Sequence, residues 1–79
     1  MFYYVYIIKL NNKKFYIWYS SILRSRIKEH NEGKVRQTRY LRPLKLIYYA
    51  AFRNKLKAIY FEKYLKTPSG YAFRNNKLI

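Results

Sequence analysis

With 79 residues, 51% of them hydrophobic and 22% aromatic, the chain is too short to divide into two cores and too apolar for a disordered segment, so a single packed domain over residues 1–79 is expected. Eighteen Lys and Arg oppose three acids, Glu29, Glu32 and Glu62, for a formal net charge of +15, which makes a polyanion the default partner. The absence of cysteine excludes disulfides and thiolate metal sites, and apolar runs such as Leu46–Phe52 fall far short of the roughly 20 residues of a membrane span.

In chain order, FYYVYIIKL at residues 2–10 and KFYIWY at 14–19 are rich in aromatic and β-branched residues and predict two strands. Asn11, Asn12 and Lys13 between them carry turn chemistry, so the pair reads as an antiparallel hairpin. Ser20 or Ser21 is placed to cap a helix reaching about Glu32, with Gly33 as its left-handed terminator and Leu23 and Ile27 on one face. Residues 34–43 have no apolar period and predict an exposed loop carrying Lys34, Arg36, Arg39 and Arg42. Residues 44–52 read as a third strand, and Asn54 caps a second helix to about Lys66, broken by Thr67-Pro68-Ser69-Gly70. The expected fold class is α/β in the α+β sense: a small three-stranded, mainly antiparallel sheet flanked by helices, in the order β-β-α-β-α with a possible final helix. Expected core residues are Val5, Ile7, Ile17, Leu23, Ile27, Leu46, Tyr48, Ala58 and Leu65.

The candidate chemistry lies on four of these elements. Each hairpin strand contributes a tyrosine, Tyr6 and Tyr16, and the first helix carries Arg26 and His30 one turn apart on one face. Phenol, guanidinium and imidazole can supply the base and the cation that phosphodiester cleavage requires; taken singly, each is as readily a packing or solvated side chain. Glu62 lies in a helix that is apolar around most of its circumference, so its carboxylate is expected to be sheltered. Its partner is either a nearby Lys or Arg or a divalent metal. Without thiolates, a metal would be held by oxygen or by the single His30, which points to Mg²⁺ or Mn²⁺. Basic loop and tyrosines together suit nucleic acid, with a merely solvated basic surface as the alternative. The N-terminus has none of the regions of a signal peptide, and a soluble, cytoplasmic protein with no membrane partner is expected.

Taken together, these motifs resemble the GIY-YIG nucleases, in particular their small stand-alone bacterial type, and the nuclease domain of the nucleotide-excision-repair incision subunit. Tyr4-Val5-Tyr6 followed by Ile7-Ile8 resembles the first half-motif and Tyr16-Ile17-Trp18 the second; residues 23–34, 42–49 and 61–75 resemble the family's helix, third strand and Glu-bearing helix. The resemblance implies a metal-dependent endonuclease acting on DNA ahead of RNA. It implies Tyr6 as the base or water-orienting phenol, Tyr16 as a second phenol, Arg26 as the transition-state cation, His30 as a proton or phosphate contact, Glu62 as the metal ligand, and Asn75 as a further candidate. The motif glycine is replaced by Trp18, so a catalytically impaired, nucleic-acid-binding or engineered oligomeric relative is the competing reading. Trp18, Ile22, Tyr60 and Phe61 are expected at the surface, where they would form an apolar patch for a homodimer.

Overall fold

Alternating aromatic and β-branched residues give the chain two strands at its start, and the third is found where its pattern returns. The computed structural model describes residues 1–79: strand β1 (Tyr3–Lys9), β2 (Phe15–Ser20), helix α1 (Leu23–Asn31), β3 (Lys45–Phe52), α2 (Lys55–Leu65) and α3 (Pro68–Phe73). A 3₁₀ turn at Arg39–Leu41 precedes β3, and one π turn, Arg74–Leu78, ends the chain. The sheet is antiparallel throughout, in the order β2-β1-β3, with β1 central. Of the three turn residues it is Lys13, not an asparagine, that takes the left-handed conformation (φ 67°). Both asparagines bond through their side chains instead, Asn12 to the Lys14 N–H and Asn11 to the Arg42 carbonyl.

Because side chains alternate across a strand, Tyr4, Tyr6 and Ile8 face one side of the sheet with Tyr16 and Trp18, while Val5 and Ile7 face the other with Ile17. α2 covers the second side: Val5, Ile7, Ile17, Ala58 and Leu65 form its core, with Phe52 and Phe61 packed against it. Full burial of each aliphatic side chain there is worth about 1.5–3 kcal/mol. α1 covers the first side, laying Leu23 and Ile27 on Tyr6, Ile8 and Leu10. Asn54 caps α2 by accepting from the Leu56 and Lys57 N–H groups, and Gly33 adopts the expected positive φ of 77° after α1.

Four expectations are corrected. Neither serine caps α1, which starts at Leu23, because Ser20 Oγ is spent on the Ile22 N–H. Leu46 is exposed rather than in the core, since a register shift between Ile7 and Ile8 leaves Ile47 unpaired and puts Leu46 at the sheet margin. Phe61 turns inward against Phe52 instead of joining a surface patch, whereas Trp18, Ile22 and Tyr60 are exposed. The segment 34–43 is not uniformly exposed: its four cations are, but Val35 and Thr38 are buried.

Candidate active site

Tyr6, at the centre of β1, is fully buried beneath α1. Its hydroxyl lies 3.2 Å from His30 Nε2. The other nitrogen of the ring, Nδ1, lies 2.8 Å from Thr38 Oγ1, and Thr38 Oγ1 in turn is 3.5 Å from the Val35 carbonyl. Tyr6, His30 and Thr38 are all 0% exposed. Tyr16 closes the group from β2, with its ring 5.3 Å from the imidazole and edge-on to it. The i, i+4 spacing on α1 puts Arg26 on the same face, where it pairs with Glu29 at 3.1 Å.

Burial sets the acid–base character of the cluster. It raises the Tyr6 phenol from 10.0 to about 12, with Tyr16 adding to the rise and Arg26 opposing it. Tyr16 is raised for the same first reason, Arg26 pulling it down and Glu62 pushing it up. His30 is lowered from 6.5, chiefly by burial and then by the Arg26 charge. The imidazole is therefore neutral near pH 7 and able to take a proton, while the phenol is fully protonated.

Glu62 is buried as expected, 6% exposed, and its Oε2 pairs with Lys66 Nζ at 3.2 Å, one helical turn on. The same ammonium sits 4.6 Å from the centre of the Trp18 ring, whose other neighbour is Tyr16, stacked at 6.4 Å and 25°. Trp18 thus points where Tyr16 points, and joins the Glu62 end of the site to the Tyr6 end. Across the sheet Trp18, Tyr6 and Tyr49 form one cross-strand row. All three acids of the chain pair with a neighbouring cation.

A family model described as the GIY-YIG catalytic domain matches residues 2–76. The chain belongs to the GIY-YIG family. Among its relatives, UPF0213 protein CPE1444 of Clostridium perfringens is 40% identical over 76 residues, covering 95% of this chain and 77% of that one. UPF0213 protein YazA of Bacillus subtilis is 36% identical over 62 residues, 77% and 63% of the two chains. The solution NMR structure of UPF0213 protein BH0048 from Bacillus halodurans superposes with a TM-score of 0.62 at 29% identity, over 99% of this chain and 87% of the other.

GIY-YIG domains are a nuclease family, with nucleic acid as substrate and a general dependence on a divalent metal. In this GIY-YIG chain no three His, Cys, Asp or Glu side chains gather into a metal cluster. A hard divalent cation that keeps its waters and shares phosphate oxygens of the substrate needs only one carboxylate. Glu62 is the sheltered carboxylate of the chain, and its charge is balanced by Lys66, which a metal would have to displace. Tyr6, Tyr16 and His30 lie together, with Arg26 beside Tyr6. Asn75 accepts from Arg74, whose guanidinium lies over Phe15 and Tyr71. Lys34, Arg36, Arg39 and Arg42 are exposed on the segment that Thr38 anchors, although Lys34 pairs with Glu32 and Arg42 bonds to the Arg39 carbonyl. Thr38 and Lys66 are the two contributors that sequence reading missed. The only signal for Thr38 is that it and Val35 stand three apart as the β-branched residues of a basic stretch; for Lys66 it is the i, i+4 spacing from Glu62. No helix is long and apolar enough to cross a membrane.

Proposed function

We propose that this GIY-YIG domain is a metal-dependent endonuclease that hydrolyses phosphodiester bonds of nucleic acid, DNA ahead of RNA. The observation that carries the reading is the cluster of Tyr6, Tyr16 and His30, with Arg26 close enough to lower both phenols and the buried Glu62 close enough to raise Tyr16. A phenol held at a pKa of about 12 does not ionise unaided near pH 7. It needs an acceptor in contact, and neutral His30 Nε2 is one. Tyr6 is covered in the free domain, so the step requires substrate binding to admit water to its hydroxyl. Tyr6 then passes its proton to that nitrogen, the phenolate takes a proton from the attacking water, and the water oxygen bonds to phosphorus. Arg26 stabilises charge on the phosphoryl oxygens, and Tyr16 orients the phosphate. The ester oxygen leaves with the electron pair of its bond to phosphorus and is protonated by solvent. Glu62 would hold Mg²⁺ or Mn²⁺, which supplies Lewis-acid stabilisation of the leaving oxygen. Lys34, Arg36, Arg39 and Arg42 neutralise flanking phosphates.

The test is incubation with labelled single- and double-stranded oligonucleotides, with and without Mg²⁺ or Mn²⁺. Glu62→Gln should abolish cleavage while leaving binding equal or tighter, because a carboxylate that repels phosphate has gone. Cleavage by this variant at the parental rate rules out the metal-ligand role. A second reading, nucleic-acid binding without cutting, is favoured by the wholly buried Tyr6 and by Trp18 and Lys66 lying over the Tyr16–Glu62 side. Tight salt-sensitive binding with no cleavage under either metal would select it.

A further inference from the structure

The row Tyr6–His30–Thr38–Val35 has a fixed number of hydrogens to place, and its three side chains are fully buried. If Thr38 gave its hydrogen to His30 Nδ1, then Nε2 would carry the ring hydrogen and donate it to the Tyr6 oxygen. The Tyr6 hydrogen would then face no acceptor. The neighbouring Arg26 can only donate, and a buried unpaired O–H is costly. In the opposite arrangement every hydrogen is used: Tyr6 O–H donates to Nε2, Nδ1–H donates to Thr38 Oγ1, and the Thr38 hydroxyl donates to the Val35 carbonyl. Every buried side-chain polar atom has a hydrogen-bond partner in the structure, and this is the arrangement in which each hydrogen of the row also meets an acceptor.

We propose that Thr38 is a positioning residue: by accepting from Nδ1–H it holds His30 in the Nδ1-protonated tautomer, and so leaves the Nε2 lone pair aimed at the Tyr6 hydroxyl. The structural statement stands on geometry alone, while its catalytic meaning rests on the nuclease reading above. The role explains why a stretch of exposed Lys and Arg buries one threonine. The hydroxyl that fixes the ring also fastens the 34–43 segment, so the phosphate-facing cations and the proton acceptor are held by the same bond.

Because the chain has one histidine, ¹⁵N-labelling of histidine gives the signals of a single imidazole, and long-range ¹H–¹⁵N correlation near neutral pH reads its tautomer directly. The expected result is a protonated Nδ1 and a bare Nε2 in the parent protein and in Thr38→Ser. In Thr38→Val the ring should shift towards the Nε2-protonated form, and kcat on an oligonucleotide should fall about 10²-fold with KM little changed, the low end of what a proton-transfer group contributes. A parent ring protonated at Nε2 overturns the proposal, whether or not the valine variant folds. So does a valine variant that keeps the parental tautomer. If the tautomers behave as expected and the parent cuts nothing, the nuclease reading fails while the positioning role stands.

Discussion

Burial of the Tyr6 hydroxyl has a measurable consequence for stability in alkali. Its pKa stands at about 12, against 10.0 for an unperturbed tyrosine. Below pH 10 neither the folded nor the unfolded state ionises this phenol, and its burial exacts no penalty through ionisation. Between pH 10 and 12 the unfolded chain gives up the proton and the folded chain does not, so stability falls as pH rises through that window. The full loss above pH 12 corresponds to about 2.7 kcal/mol, and half of it, about 1.4 kcal/mol, is incurred by pH 11. Tyr6→Phe removes this ionisation. It also strips His30 Nε2 of its partner, which should cost about 1–3 kcal/mol at every pH as a buried acceptor left unpaired. Urea unfolding of both proteins at pH 8 and pH 11 isolates the effect, because the two chains differ only in the Tyr6 hydroxyl. The parent should lose about 1.4 kcal/mol more than the variant between those pH values. Parallel losses would show that the Tyr6 hydroxyl is in contact with solvent, and the buried proton relay would go with it.

Trp18→Gly takes away the ring beneath Lys66 and the stacking partner of Tyr16; cleavage should rise as this side of the site opens, with a stability loss of about 1 kcal/mol from glycine in a strand, both read by oligonucleotide assay and thermal melting. Binding of oligonucleotides should weaken steeply with salt, the slope of log K against log salt dropping by about one for each of Arg36 and Arg39 changed to Gln if each neutralises one phosphate. Gly70→Ala places a Cβ 1.7 Å from the Tyr64 carbonyl oxygen, so α3 must shift off the end of α2; overpacking of this kind costs about 1–3 kcal/mol or more, to be seen in denaturant midpoints. Glu62→Gln, with its expected loss of metal-dependent cleavage, completes the set.

The hairpin, Asn54 as cap, Gly33 as terminator and the three-stranded sheet were legible because each depends on local chemistry: alternation, a side-chain oxygen, a positive φ. The same alternation placed Trp18 beside Tyr16. What local pattern could not reach was pairing across distance. Ile47 is the extra residue in β3 only because Ile8 pairs with Leu46, and nothing within β3 marks the offset. Thr38 looked like loop because its neighbours are cations, and its burial comes from an imidazole eight residues away on α1. For Glu62 the sequence left two partners open, a lysine or a metal. The fold supplies the lysine through a one-turn spacing and leaves a carboxylate to which a divalent ion could be added once that ammonium moves.

The contact between Lys66 and Trp18 also makes the protein its own reporter. The chain holds a single tryptophan, wedged between a phenol of the site and the ammonium that balances Glu62. A positive charge close to an indole face shifts its emission, so whatever draws Lys66 away, a phosphate arriving or a metal claiming the carboxylate, changes the colour and intensity of that fluorescence. Occupancy of the site can be followed in the unlabelled protein, at the position where the chain departs from the motif glycine.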